Sequence, residues 1–234
     1  MNIRGFHKTS LIDYPGKIST VIFTGGCNFR CGFCHNPGLV ICDNRKGKVD
    51  SETVLNHLKK RKSVIEGVVI SGGEPTLNGG LPGFCGSIRD LNFGLKIKID
   101  TNGSRPDIIS RLLDDRLIDY AALDIKTCPE KYREITGVKA DTEKIISSLS
   151  ILKESGIDYE IRTTCVPDFI TEEDLRAIGE WTGRVKSYYL QQFTAQPGLL
   201  NPAYEKKQPY TKAYLESLLN IIRDFADNSA IRGI

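Results

Sequence analysis

Short apolar runs ending in turn residues alternate along this chain with segments whose apolar residues recur at helical spacing. Residues 18–24 read as a buried strand that leads into a cysteine-rich loop. Residues 51–62 read as a polar helix with Val54, Leu55 and Leu58 as its apolar stripe. A second strand, 64–71, ends at Gly72-Gly73-Glu74-Pro75, and a weaker helix follows over 84–91. Residues 96–100 alternate as a third strand before Thr101-Asn102-Gly103. A helix over 106–114 has Pro106 near its first turn, and 120–125 is the fourth strand.

The second half keeps the rhythm. Ile145, Leu149 and Leu152 share one face of a helix over 142–154 that Gly156 ends. Residues 159–166 form the fifth strand. Thr171-Glu172-Glu173-Asp174 resembles an N-terminal capping arrangement for a helix through Trp181. The sixth strand is 187–193, and a loop rich in Gly, Pro and Asn occupies 196–208. Leu215, Leu218, Leu219 and Ile222 stripe a closing helix. Repeated strand–helix units predict an α/β fold with parallel strands and right-handed crossovers. Six units are too few for a closed eight-stranded barrel. One domain over 1–234 is expected, since no repeat or low-complexity segment divides the chain.

Composition narrows the class. A chain of 234 residues is long enough for a complete core. Its 40% apolar and 26% charged content is ordinary for a soluble protein. A net charge of +3 points to neither nucleic acid nor membrane as a partner. No apolar run reaches the roughly 18 residues of a membrane helix. Lys8, Asp13 and Lys17 interrupt any signal-peptide core. Seven cysteines is an odd number, with three clustered, so a reducing, cytoplasmic setting is expected.

The clustered cysteines are Cys27, Cys31 and Cys34, in the spacing C-x3-C-x2-C. A tight loop at this spacing can aim three thiolates at one face of a [4Fe–4S] cubane. Four thiolates are the usual closed set, so three leave one iron open to a substrate or cofactor. The spacing alone also allows a structural zinc site completed by His35 or Cys42.

The cysteine motif, with Phe33 before its third cysteine and a strand ending in Gly72-Gly73-Glu74-Pro75, resembles the radical S-adenosylmethionine (SAM) superfamily. Within it, the chain is most similar to activating enzymes of glycyl-radical proteins. The stretches Ser10-Leu11-Ile12-Asp13-Tyr14-Pro15-Gly16, Phe23-Thr24-Gly25-Gly26-Cys27-Asn28, Cys34-His35-Asn36-Pro37 and Leu123-Asp124-Ile125-Lys126 resemble anaerobic ribonucleoside-triphosphate reductase activating proteins. The likeness runs over nearly the whole chain.

That resemblance implies a partial (β/α)6 barrel, open on one side. It implies one [4Fe–4S] cluster on Cys27, Cys31 and Cys34, with S-adenosylmethionine chelating the open iron. Phe33 would lie near the adenine, and Gly72, Gly73 and Glu74 would meet the cofactor's amino group. Asp100, Thr101 and Asp124 would help hold a monovalent cation beside the cofactor carboxylate, and Lys126 would offer that carboxylate its ammonium. Arg162 matches another cofactor-side position. Where relatives carry a histidine on the sixth strand, this chain has Gln191 or Gln192, and an amide cannot carry charge.

The implied reaction is reductive cleavage of S-adenosylmethionine and hydrogen abstraction from a glycine of a partner. That partner would be a glycyl-radical protein, the large subunit of anaerobic ribonucleotide reductase. A flavodoxin- or ferredoxin-type protein would supply the electron. Asp13, His35, Asn36 and the 196–208 loop would face the partner. Asp13 has a plainer reading as an ordinary N-terminal turn, and acids at strand ends can be merely solvated. Cys42, Cys85, Cys128 and Cys165 are scattered and read as small buried hydrophobes. Two other functions stay open: a radical enzyme acting on a small molecule or peptide, and a non-catalytic metal-stabilised scaffold or electron carrier.

Overall fold

Each of the six expected strands forms, and two more flank them. A computed structural model describes residues 1–41 and 47–234. The chain opens with β1 (Ile3–Ser10) and β2 (Ser19–Thr24), then a short α1 (Pro37–Val40) and α2 (Ser51–Lys60). Strand–helix units follow as β3 (Gly67–Gly72), α3 (Leu81–Arg89), β4 (Lys96–Thr101), α4 (Pro106–Asp114) and β5 (Tyr120–Asp124). Next come α5 (Tyr132–Thr136), α6 (Thr142–Glu154), β6 (Asp158–Cys165), α7 (Glu172–Thr182), β7 (Val185–Gln192), α8 (Lys212–Ile222) and β8 (Ala226–Arg232). The strands follow one another in the sheet in chain order, with β1 and β8 at its two ends. β1 pairs antiparallel with β2, whereas β2–β3, β3–β4, β6–β7 and β7–β8 are parallel. The fold class is therefore α/β with a mostly parallel, open sheet.

The added strands escape a periodicity reading for a physical reason. Both are end strands with one neighbour, and most of their residues are half-buried or exposed. Polar and charged residues are tolerated there, so no apolar run marks them.

Two compact units make up the described chain. One comprises Met1–Asn28, Gly38–Thr101 and Arg105–Ala121. Its strands bury Ile22, Ile70, Ile97 and Ile99, while Val21, Val69 and Tyr14 form a separate small core flanked by Phe23 and Tyr120. Tyr14 packs at the start of β3, so close to Gly67 that a Cβ there would stand 2.9 Å from its ring. Asp50 caps α2, its side chain accepting the Glu52 N–H at 3.1 Å.

The other unit comprises Phe29–Pro37, Asn102–Ser104 and Ala122–Ile234. Leu149, Leu152, Ile161, Ile178, Leu190 and Leu218 are its buried centre. The expected capping arrangement at Thr171 is a full capping box with Asp174. Gly156, at φ +74°, follows the end of α6 in the left-handed conformation that favours glycine. No helix among the described residues is long and apolar enough to cross a membrane.

Candidate active site

In the first unit, the strand ends that lead to the cysteines are built by close backbone contact. Gly26 N–H donates to the Leu39 carbonyl at 2.7 Å, and Glu74 N–H donates to the Gly26 carbonyl at 2.8 Å. A Cβ on Gly73 would stand 2.1 Å from Gly26 O, and one on Gly72 would stand 2.3 Å from Thr24 N. Gly72 also has φ +118°. Both glycines are thus demanded by the neighbouring β2 exit itself, next to Cys27. Glu74 is buried, and its Oε1 accepts from Thr76 N–H at 3.1 Å, Thr76 Oγ1 at 2.5 Å and Thr101 Oγ1 at 2.7 Å. It caps the 3-10 turn Pro75–Leu77 and ties the end of β3 to the end of β4.

Asp100 sits one residue before the end of β4. Lys98, two residues back and on the same face, reaches it with Nζ–Oδ1 at 2.6 Å. Lys98 is 1% exposed, and its Nζ lies 5.9 Å from the centroid of the Tyr120 ring.

Asp13, which the resemblance assigns to the partner-facing mouth, lies elsewhere in this unit. It belongs to the connection between β1 and β2, where the Ser10 hydroxyl donates to its carboxylate. Ser10 pairs with Ser19, and Ser19 pairs with Gly67, where β3 begins. The full length of β2, about 20 Å at 3.3 Å per residue, separates that edge from the β2 exit next to Cys27. The antiparallel turn of β1 carries Asp13 to the strand starts.

In the second unit, Cys34 N–H donates to the Cys31 carbonyl at 3.0 Å, which curls the loop. Arg30 N–H donates to the Thr136 carbonyl at 2.7 Å, beside the left-handed Gly137 that caps α5. The segment 196–208 covers the same loop: Leu200 N–H donates to Cys34 O at 3.3 Å, and Asn201 N–H to Gly32 O at 2.9 Å. It is not an open loop but holds the 3-10 turn Pro202–Lys206, whose buried Tyr204 lies 6.4 Å from the Phe33 ring, centroid to centroid. Tyr204 also stacks on Phe169 at 6.2 Å. Phe33 is buried in this aromatic group, while His35 and Asn36 are exposed just beyond Cys34.

The strand ends of this unit carry a compact charge lattice. Asp124 accepts from Arg162 Nε at 2.8 Å through one oxygen and from Lys126 Nζ at 3.0 Å through the other. Burial pushes the Asp124 carboxyl up, but Arg162 and Lys126 outweigh it and hold the group well below the usual carboxylate range. Burial likewise opposes the Lys126 charge, yet Asp124 and the Cys31 sulfur raise its affinity for the proton overall. Tyr132 fixes this lysine's backbone by accepting its N–H at 3.1 Å, and it packs edge-on to Phe29 of the cysteine loop.

Register settles which glutamine shares this face. Arg162 pairs with Tyr189, and the next residues on that face, Thr164 and Gln191, pair with each other. Gln192 points the other way, its amide donating to Tyr210 O at 2.7 Å. Sequence reasoning missed the next layer altogether. Arg232 on β8 forks onto the fully buried Glu160 with two 2.8 Å hydrogen bonds, and its guanidinium lies 3.5 Å over the Tyr189 ring.

The donor set suits an iron–sulfur cluster: Cys27, Cys31 and Cys34 are free of disulfides, and thiolates are its natural ligands. Among the described residues, no three His, Cys, Asp or Glu side chains gather on one metal-ion position. Cys85 and Cys165 are buried thiols pushed up to about 12 by burial, which leaves them neutral and poor ligands. Cys128 is buried beside Asp174, and Cys42 lies outside the described residues.

A model of the radical SAM superfamily matches residues 21–182, which hold the cysteine loop, the Gly-Gly edge and the charge lattice. The chain belongs to the radical SAM superfamily. Membership implies a [4Fe–4S] cluster and S-adenosylmethionine as cofactors. A protein of Methanocaldococcus jannaschii, provisionally named a glycyl-radical enzyme activating enzyme, is 34% identical over 245 residues, covering 99% of this chain and 96% of its own. The pyruvate formate-lyase-activating enzyme of Clostridium pasteurianum is 30% identical over 184 residues, covering 75% of this chain and 74% of its own. Among solved structures, Streptococcus suis SuiB bound to S-adenosylmethionine aligns with a TM-score of 0.69 at 20% identity, over 88% of this chain. Only 48% of the SuiB chain is covered, so this radical SAM chain spans about half its length and shares its fold.

The monovalent cation fits less well than the cluster. Asp100 already holds the Lys98 ammonium, Thr101 gives its hydroxyl proton to Glu74, and Asp124 is held by two cations.

Proposed function

We propose that this radical SAM enzyme is an activase that places a glycyl radical on a partner protein, the large subunit of an anaerobic ribonucleoside-triphosphate reductase. The observation that carries the reading is likeness over 99% of the chain to a protein named for glycyl-radical enzyme activation. A loop with three cysteines supports it, because that number leaves one iron of a cubane open to the cofactor.

Cys27, Cys31 and Cys34 hold the cluster. When bound, the cluster and S-adenosylmethionine would supply the one-electron reductive chemistry that removes a hydrogen atom from the partner's glycine. This chain's residues do the placing. The bare backbone at Gly72 and Gly73 presents an edge to the cofactor's amino group, with Glu74 holding that edge in shape. Lys126 spends one N–H on Asp124 and has two further donors for the cofactor carboxylate. Arg162 and Gln191 line the same face of β6 and β7, and Phe33 packs toward the adenine. Tyr204, Phe33 and Phe169 pack an apolar group against the cysteine loop, which helps exclude water. His35 and Asn36 are exposed beside Cys34, where a glycine-bearing loop of the partner would enter. No general base is required, because the transferred particle is a hydrogen atom. A flavodoxin- or ferredoxin-type protein delivers the electron.

Anaerobic reconstitution with candidate glycyl-radical subunits, reductant and S-adenosylmethionine tests this reading. Electron paramagnetic resonance should show a glycyl doublet on a ribonucleotide reductase subunit. A doublet on another glycyl-radical protein alone would replace the named partner. Absence of a doublet on every such subunit, with S-adenosylmethionine still cleaved, would overturn the activase.

A further inference from the structure

Lys98 is a buried cation in the middle of a strand, and the proposed chemistry gives it no task. It is 1% exposed, whereas lysine is almost never fully buried unless paired. Its stem stands beside Val69, its partner in register on β3, and its ammonium turns toward the strand's end. There it meets Asp100 Oδ1 at 2.6 Å, with the Tyr120 ring on another side at 5.9 Å. The Asp100 side chain is only 12% exposed, so little water shares its charge.

We propose that the Lys98 ammonium is the resident counter-ion of Asp100, and that this protein holds its β4 acid without a bound sodium or potassium ion. An ammonium is close to potassium in size and carries the same charge. Once it sits on the carboxylate, a second monovalent cation would meet repulsion where it needs attraction. Being covalently attached, the ammonium is present at any salt concentration, and it loses no translational freedom on binding. The lysine thus makes a hard-oxygen cation site both unnecessary and unfavourable. The pattern is written in β4 itself: in Lys98-Ile99-Asp100 the two charged residues are two apart and share a face. The consequence for S-adenosylmethionine rests on Asp100 being a cofactor-side residue. The counter-ion role does not.

The test compares anaerobically reconstituted wild type with Lys98→Met at constant ionic strength in sodium, potassium or choline chloride, choline being too large for the position. Thermal unfolding and S-adenosylmethionine affinity by calorimetry are both read. Wild type should unfold at one temperature in all three salts and bind the cofactor equally. Lys98→Met should unfold about 2–4 °C higher in sodium or potassium than in choline, the shift of one weak bound ion on a chain of this size. Its cofactor affinity should also rise about fivefold with the small cations. A wild type stabilised by sodium or potassium over choline overturns the proposal, as does a Lys98→Met protein indifferent to all three. If Lys98→Met does not fold, the wild-type salt series alone decides. Neither reading uses a partner protein, so failure of the activase assignment would leave both results standing.

Discussion

The ring of Tyr204 lies so close to Gly32 that a Cβ there would stand 2.4 Å from its edge. The glycine between Cys31 and Phe33 is therefore fixed by a residue more than 170 positions later, through the 3-10 turn that covers the loop. Gly32→Ala should push Tyr204 out or displace the loop, and lower the iron bound per chain. The double variant Gly32→Ala/Tyr204→Ala should recover iron, at a packing cost of about 3 kcal/mol for the lost aromatic side chain. Iron analysis and thermal unfolding of both variants check this. Equal iron loss in the single and double variants would contradict the steric account.

Gly73 gives a second prediction. A side chain there meets the Gly26 carbonyl at 2.1 Å, and backbone cannot yield as a flexible side chain can. Gly73→Ala should disturb the residue before Cys27 and reduce cluster loading as well as cofactor binding. Gly79→Ala, where a Cβ meets nothing within 4 Å, should leave both unchanged. Full iron content in Gly73→Ala would show that the edge is open to a side chain.

The Asp124 lattice sets a pH limit. Its carboxyl is held below the ordinary value by Arg162 and Lys126. Such a group contributes stability that is fully present above its unfolded value of about 3.9 and is lost as pH falls toward the folded one. Wild type should therefore lose stability progressively below about pH 4. Asp124→Asn should remove that part of the acid dependence and cost roughly 3 kcal/mol at neutral pH, because two cations lose their partner. Urea unfolding from pH 3 to 7 measures both effects. An unchanged acid limb in Asp124→Asn would remove Asp124 from the explanation.

Much of this was legible in the chain. The apolar runs that became β2 to β7 are buried on a parallel sheet, and such strands advertise themselves. Thr171 and Asp174 marked a helix start because capping chemistry is local. The loop that carries Cys27, Cys31 and Cys34 was visible because the three stand close together in the chain. What escaped was long-range or polar. Arg232 sits on an end strand without an apolar pattern, so neither β8 nor its fork onto Glu160 could be seen. Tyr204 is one aromatic in a polar segment, and only the folded chain brings it to Gly32. The place of Asp13 beside the start of β2 was not legible, because a short motif carries no direction, whereas the antiparallel turn of β1 does. Lys98 was the avoidable miss, since strand alternation already placed it with Asp100.

Hydrogen transfer from a partner's glycine is the central claim, and isotope transfer tests it most directly. Candidate glycyl-radical subunits are prepared with deuterium at the glycine α-carbon and mixed anaerobically with the reconstituted enzyme, reductant and S-adenosylmethionine. Placement within near contact predicts deuterium in the 5′-deoxyadenosine, released with a matching glycyl radical on the ribonucleotide reductase subunit. Unlabelled 5′-deoxyadenosine with every glycyl-radical protein, together with label transfer from a small metabolite, would contradict the account.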